Sequence, residues 1–414
     1  MEKEKVKKRK WYSLIDKVYN LPNLLESWYE VKANKGASGI DKETIEEFEK
    51  NLSRNLKELH RLLRQKRYTP SPVRQILIPK PNSKEQRPLG IPTIRDRVVQ
   101  QGIKRVIEPI FEAKFKQVSY GYRPKRRAQQ AIQKCKEYIN AGYKWVVDAD
   151  ITSFFDTVDH KLLMNAVKEE IADGTLLDLI EKFLKAGVMK EGKLEATRGG
   201  VPQGGVISPL VANIYLHRFD EVMTERGYRL VRYCDDFVIF TKYKGKSEKA
   251  LQESKQIIER KLKLKLHPQK TKVVHAYWDG FEFLGCLFKR NYVYPTNKSK
   301  KRFKEKVRYI TRRQQPKKVK DIINQLNPVI RGWGNYFKQT NVKKLYCTLD
   351  EWMRMRLRSF LEKKKAVRHQ NKRIYNWSLK SQGLESLQEL IPASFPAKGQ
   401  LRRKAVYGKT VRTV

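Results

Sequence analysis

Asp235 and Asp236 stand side by side in Tyr233-Cys234-Asp235-Asp236, between the apolar runs Leu230-Val231 and Phe237-Val238-Ile239-Phe240. Well upstream, a third carboxylate, Asp150, closes the apolar pattern Trp145-Val146-Val147-Asp148-Ala149-Asp150-Ile151. A small set of hard oxygen ligands suits Mg²⁺, which keeps several waters and lets substrate phosphates complete its octahedral shell. Two such ions ~4 Å apart activate a 3′-hydroxyl and stabilise a leaving pyrophosphate. The chemistry open to this pattern is therefore nucleotidyl transfer. An Asp-Asp pair is also an ordinary solvated hairpin tip. Asp150 shifts that balance, because an unpaired charge at the end of a buried strand is expensive unless it has a task.

The elements that must position these acids can be read from residue pattern. Tyr228 to Tyr233 and Phe237 to Thr241 are β-branched and aromatic, as paired strands require, so Cys234-Asp235 falls at a tight turn. Lys144 to Ile151 reads as a buried strand, after which Thr152-Ser153-Phe154-Phe155-Asp156 bends into a helix starting near Asp156 or Asp159. Asp148, on the opposite face of its strand, and Asp156, near a helix start, read as structural. Gly199-Gly200-Val201-Pro202-Gln203-Gly204-Gly205-Val206-Ile207-Ser208-Pro209 is a glycine-rich loop opening a helix from about Pro209 to Arg226. Glycines admit a ligand close to backbone and a helix N-terminus favours an anion, although a structural turn has the same composition.

Six ordered blocks resemble a reverse transcriptase. They are Ile78-Pro79-Lys80-Pro81 with Arg87 to Pro92, Ser119-Tyr120-Gly121-Tyr122-Arg123-Pro124, Asp150 to Asp156, Pro202 to Pro209, Tyr233 to Asp236, and Phe283-Leu284-Gly285. The version is similar to bacterial group II intron reverse transcriptases, also called maturases, and spans about Asn34 to Gln388. The resemblance implies an α+β right-hand polymerase. An N-terminal extension (1–68) would carry a template lid, 69–292 would form fingers and palm, 293–390 an all-α thumb or maturase domain, and 391–414 a basic tail.

Carried onto this chain, the resemblance implies that Asp150 and Asp235 bind two Mg²⁺ ions, with Mn²⁺ able to substitute, Asp236 in support and the Ile151 carbonyl helping. Lys80 and Arg87, on a fingers hairpin turning at Asn82-Ser83-Lys84, would meet the triphosphate. Gln203 and Gly204 would lie against the nascent base pair, and Phe155 would exclude a ribose 2′-hydroxyl. A core phenylalanine is the competing reading of Phe155, and Phe154 shares the candidacy. Template and primer contacts would come from Lys35, Gly36, Ala37, Ser38, Arg74, Tyr233, Cys234, Lys272 or Lys270, and Gly285. Family members usually carry Ala where this chain has Cys234, a small change beside the primer end.

Composition points the same way. Lys and Arg number 90 against 44 Asp and Glu, a net charge of +46, far beyond what solubility needs. RNA template, DNA or RNA primer, deoxynucleoside triphosphates and structured intron RNA are the implied partners, with salt-sensitive affinity. No run of ~18 apolar residues marks a membrane span. The Lys-rich start lacks a signal region, and Cys135, Cys234, Cys286 and Cys347 show no C-x-x-C pairing, so a reducing bacterial cytoplasm, at the nucleoid when on DNA, is expected.

Asp41 is a candidate N-cap for the periodic segment Ile45 to Leu63, with Lys35 to Ser38 either a template lid or an interhelix turn. After Pro295, basic helical segments carry interleaved aromatics. Arg331, Lys338, Arg354, Arg356 and Arg358 read as phosphate contacts, and Trp333 and Phe337, four apart, as bundle core. No nuclease region of paired cysteines and histidines follows, which is similar to the compact endonuclease-lacking class. Retrohoming and splicing of a parent intron are the wider role implied. A polymerase domesticated for repair or phage defence, and a splicing cofactor that chiefly binds RNA, are the alternatives.

Overall fold

The computed structural model describes residues 10–79, 86–190, 192–197, 199–362 and 374–392. Two compact units emerge, residues 1–291 and 292–414.

Strands of the first unit are β1 (Val73–Pro79), β2 (Gln86–Ile91), β3 (Trp145–Asp150), β4 (Val188–Lys190), β5 (Lys193–Glu195), β6 (Arg229–Tyr233), β7 (Asp236–Thr241), β8 (Lys272–His275), β9 (Phe281–Phe283) and β10 (Cys286–Lys289). The sheet that bears the acids runs β6-β7-β3-β8, antiparallel throughout. Val146, Val147, Leu230, Val231, Val238 and Ile239 in it are fully buried. Both faces are covered, which is why these strands read as unbroken apolar runs. Helices Ala128–Asn140, Ser208–Glu225 and Lys244–Lys255 pack on this sheet.

A second sheet, β2-β1-β4-β5, is built on the hairpin of β1 and β2, paired from Arg74↔Ile91 to Pro79↔Gln86. The expected hairpin turn, and Lys80 with it, lies outside the described residues. Helices Leu21–Ala33, Ile45–Lys50 and Leu52–Arg64 share one core with Ile94–Glu112 and the acid-bearing region. Within it, Trp28 stacks on Phe48 at 4.8 Å.

Asp41 is not the helix cap expected of it. Thr44 caps Ile45–Lys50, its hydroxyl accepting from the Glu47 N–H while Glu47 accepts from the Thr44 N–H, a closed capping box. Asp41 instead accepts from the Glu43 N–H at 3.2 Å.

The second unit contains helices Asn297–Ile310, Val319–Phe337, Lys343–Leu361 and Asn376–Ser381. Trp333 packs among Phe303, Phe337 and Tyr346 with ring centroids 4.7, 4.9 and 5.7 Å away. Its indole N–H donates to the Ser299 hydroxyl at 3.1 Å, so it is a core residue with a satisfied polar end. No helix among the described residues is long and apolar enough to cross a membrane.

Candidate active site

The register of the sheet brings the acids together. β3 and β7 set Asp150 opposite Asp236, and β6 and β7 set Tyr233 opposite Asp236, leaving Cys234-Asp235 as a two-residue turn. Cys234 adopts left-handed backbone, φ 59°, as the first position of a tight hairpin turn demands. Burial raises the Asp235 pKa, and the charge of Asp150 adds to it. Asp236 is pushed up to about 8 by burial first, then by its hydrogen bond to Asp150 and the neighbouring charges. Lys270 answers this crowding with a charged hydrogen bond to Asp150.

Hard oxygens held this close favour a cation. Two or three carboxylates match an ion that draws the rest of its shell from water and phosphate. Among the described residues no group of three or more His, Cys, Asp or Glu stands in a ready metal-holding arrangement, so an ion here would draw most of its shell from water and substrate. Beyond Asp150, the bridge between Ile151 and Leu266 is made by the Thr152 N–H to the Lys265 carbonyl and the His267 N–H to the Asp150 carbonyl, both 2.8 Å. Neither bond uses the Ile151 carbonyl. Asp148 faces Lys272 across β3 and β8, and burial, partly offset by that lysine, pushes it up to about 6.

A buried network the sequence did not announce holds the turn. Arg232 and Asp220 form a two-pronged ion pair, Nε to Oδ1 at 2.7 Å, with side chains 1% and 0% exposed. The remaining guanidinium nitrogen donates to the Cys234 carbonyl at 2.9 Å and to Asn213 Oδ1 at 3.1 Å. Asn213 in turn donates to the Gly121 carbonyl at 2.9 Å. The backbone of 118–120 bonds the Arg232 backbone on its free edge, Arg232 N–H to Val118 and Tyr120 N–H to Arg232. A Cβ on Gly121 would lie 2.4 Å from the Cys234 nitrogen and 2.5 Å from its sulfur. The block Ser119 to Arg123 is thus the bed on which the acidic turn lies, and only glycine fits at its centre. Burial, then the charge of Asp235, pushes the Cys234 thiol up to about 12.

The glycine-rich loop is seated between the acids and the β1/β2 hairpin. Val201 N–H donates to the Phe155 carbonyl at 2.6 Å, and Gly90 N–H to the Gln203 carbonyl at 2.7 Å. Gly204, at φ 111°, sits where a Cβ would be 2.4 Å from the Gly90 carbonyl. Arg87 donates to Gln203 Oε1, so two residues expected at the nucleotide meet each other. The N-terminus of Ser208–Glu225 is not left open to an anion: Gln100 Oε1 accepts from Val206 N–H at 2.9 Å and Ile207 N–H at 3.4 Å, and the Ser208 N–H bonds Gly205. Phe154 and Phe155 are both buried, Phe154 edge-on to Tyr215 and Phe155 edge-on to Phe154.

The family model for reverse transcriptase (RNA-dependent DNA polymerase) matches residues 78–288 of this chain. The chain belongs to the reverse transcriptases. A group II intron maturase-specific domain matches residues 300–383, so it is a reverse transcriptase of the group II intron type, an RNA-directed DNA polymerase whose substrates are nucleic acids. It is 38% identical to protein YkfC of Escherichia coli K12 over 60% of this chain and 74% of that protein. It is also 40% identical to the group II intron-encoded protein LtrA of Lactococcus lactis over 47% of this chain, which spans about a third (32%) of LtrA. Among solved structures, a chain of a Cas6-RT-Cas1–Cas2 complex is similar at 26% identity, covering 60% of this chain and 43% of that one, with a TM-score of 0.39.

The remaining candidate contacts of this reverse transcriptase fall in several places. Lys35, Gly36 and Ala37 are exposed and Ser38 half-buried, on a loop stapled to the helix Ile94–Glu112 by Arg97, which donates to the Ala37 carbonyl and to the Pro92 carbonyl at 3.0 Å. Arg74 projects nearby, its charge felt by Arg97, with a buried Nε that has no partner. Tyr233 is half-buried beside the turn, and Leu284-Gly285 is the two-residue turn between β9 and β10. In the second unit Arg331 pairs with Glu385, Lys338 donates to Asn335 at 3.1 Å, and Arg354 is half-buried. Arg358 is removed from the phosphate candidates. It is buried, and its guanidinium is engaged by the Ile374 carbonyl at 2.8 Å and Asn376 Oδ1 at 2.6 Å.

Proposed function

We propose that the chain extends a primer on an RNA template with deoxynucleotides at the Asp150, Asp235 and Asp236 cluster, and that its second unit binds structured intron RNA as a maturase. The observation that carries the catalytic part is the strand register that gathers Asp150, Asp235 and Asp236 at one sheet end, where burial and neighbouring charge raise the pKa of Asp235 and Asp236. Asp150 and Asp235, with Asp236 and the Ile151 carbonyl beside them, are the residues that would hold two Mg²⁺ ions. Bound there, the ions would supply the charge that activates the primer 3′-hydroxyl and neutralises the leaving pyrophosphate.

The chain's own residues do the positioning. Arg87 places a cation and Gln203 an amide on the same side of the glycine-rich loop, suited to the triphosphate and to the nascent pair, with Lys80 a further candidate. Phe155, its backbone fixed by Val201, would present a rigid wall to the sugar. Lys270 is poised to exchange its carboxylate partner for substrate phosphate. Residues 1–68 would serve as template extension, 69–292 as fingers and palm, and 293–390 as thumb.

Primer extension on an RNA template with Mg²⁺ and deoxynucleotides, wild type against Asp235→Ala, tests the reading. Loss of extension only in the variant supports it. No extension by either protein, with tight binding of intron RNA, would favour the splicing cofactor, a reading supported by the maturase-specific match over 300–383.

A further inference from the structure

In the second unit, the end of Asn297–Ile310 and the connection that follows it, as far as Lys317, wall a cleft of about 1130 Å³ together with one residue each of Val319–Phe337 and Lys343–Leu361. Tyr309, Arg312, Arg313, Lys317, Gln325 and Arg356 line it, and among the described residues no carboxylate does. The volume lies above the roughly 300–1,000 Å³ of a small-molecule pocket, which suits a segment of polymer.

Its wall has an aromatic and a cationic part. Tyr309 is 65% exposed, and the Arg312 guanidinium lies over its ring, 4.7 Å from the centroid. Such a pair is a preformed platform for a base of any identity, since every base has a π-face and arginine adds cation–π attraction. Arg356 is fixed rather than free to sweep through solvent: its guanidinium donates to the Thr311 hydroxyl at 3.1 Å and the Thr311 carbonyl at 3.2 Å. Burial first, then the charges of Arg308 and Arg313, hold its pKa below the ordinary value. Lys317 is steadied by Gln325 at 3.3 Å. Arginines gathered without a carboxylate create a field that a phosphodiester neutralises.

We propose that this cleft binds an unpaired stretch of nucleic acid, with one base on the Tyr309 and Arg312 platform and its flanking phosphates on Lys317 and Arg356. The proposal rests on the chain being a nucleic-acid polymerase and gives its second unit a single-strand subsite. A duplex would be excluded from the platform, because its bases are already stacked on one another.

The full chain is irradiated with a single-stranded oligoribonucleotide carrying 5-iodouridine, and the cross-link is mapped. A cross-link at Tyr309 is expected. Tyr309→Ala and Arg312→Gln should each weaken binding of that oligomer roughly tenfold, without changing affinity for duplex RNA or primer extension. Retained extension shows that the variants fold and that the polymerase reading stands apart from this one. An equal loss with an oligodeoxynucleotide supports a subsite indifferent to the sugar, whereas a loss confined to the ribonucleotide assigns it to RNA. Cross-links mapping only elsewhere, or an equal loss on an abasic oligomer or a duplex, would overturn the proposal.

Discussion

The turn at Cys234-Asp235 and the basic helices of the second unit use charge in opposite ways. Around the turn, Arg232 is neutralised by Asp220, shut away from water and tied to named acceptors. Along 297–361, cations stand largely on the surface or over aromatic rings, as Lys304 and Arg308 do over Trp352 at 5.5 and 5.8 Å. The reaction proposed for the turn needs atoms held to a fraction of an ångström, which suits charge that is paired and buried. Polyanion binding needs a field more than a geometry, so charge there is left to solvent and to salt.

Asp235→Ala is the largest expected break in that contrast. Primer extension should fall by at least about 10⁴-fold, as when one member of a cooperating catalytic set is removed. RNA affinity should stay within about twofold, because one buried acid contributes little to phosphate neutralisation. Affinity lost together with synthesis would show that the two regions are not separable in this way.

Asp220→Ala comes next. It leaves Arg232 charged and unpaired in a closed site, and urea unfolding should show a loss of about 3–5 kcal/mol. Replacing both partners, Arg232→Met with Asp220→Leu, should restore most of that stability, since two apolar groups carry no desolvation penalty. Extension by the double variant should nevertheless remain depressed roughly tenfold, because nothing then donates to the Cys234 carbonyl and one lost hydrogen bond at the proposed catalytic turn is worth ~1–3 kcal/mol. Wild-type rates in the double variant would reduce the pair to a packing device.

Arg358 and Arg354 sharpen the comparison inside the second unit. Arg358→Ala should lower stability by ~1–3 kcal/mol through the orphaned Ile374 carbonyl and Asn376, while the salt dependence of RNA binding stays as it was. Arg354→Ala should do the reverse: stability unchanged, and the slope of log affinity against log salt shallower by about 0.7–0.9, one phosphate contact. The sequence offers both as equals on one helix face. What separates them is a partner segment at 374–376 that arrives from beyond the helix and that no local pattern connects to Arg358.

The same distinction governs what was legible elsewhere. Asp150, Asp235 and the two-residue turn follow from apolar runs that stop at acids, a local signal. The Thr44 cap is also local, since Thr44 and Glu47 have capping-box spacing, while Asp41, nearer the preceding loop, bonds the Glu43 N–H. Arg232 and Asp220 were not legible, because a lone arginine in a strand reads as a solvent-facing position. Only the apolar neighbours Val231 and Phe219 hinted that both sit inside. The Gln100 cap of the glycine-rich loop is long-range in the same sense.

Phe155 carries a smaller expectation. Phe155→Val, which shortens the wall while keeping an apolar side chain, should raise ribonucleotide incorporation roughly tenfold, the scale set by steric discrimination in an apolar pocket. Competition between ribo- and deoxynucleotides on one template measures it, with Phe154→Val as the control. An equal change in both would return Phe155 to the core it shares with Phe154.

The smallest effect belongs to Cys234. Its sulfur fills the space that Gly121 leaves, and its backbone already bears the strain of φ 59°. Cys234→Ala removes little volume and keeps the turn, so extension should stay within about twofold and stability within ~1 kcal/mol. Cys234→Val adds a branch at Cβ to a left-handed residue packed on backbone, a conformation that β-branched side chains resist. It should therefore slow extension more than Ala does, although both are apolar and small. Equal rates for Ala and Val would mean that the bed at Gly121 yields, and that the turn is held from the Arg232 side alone.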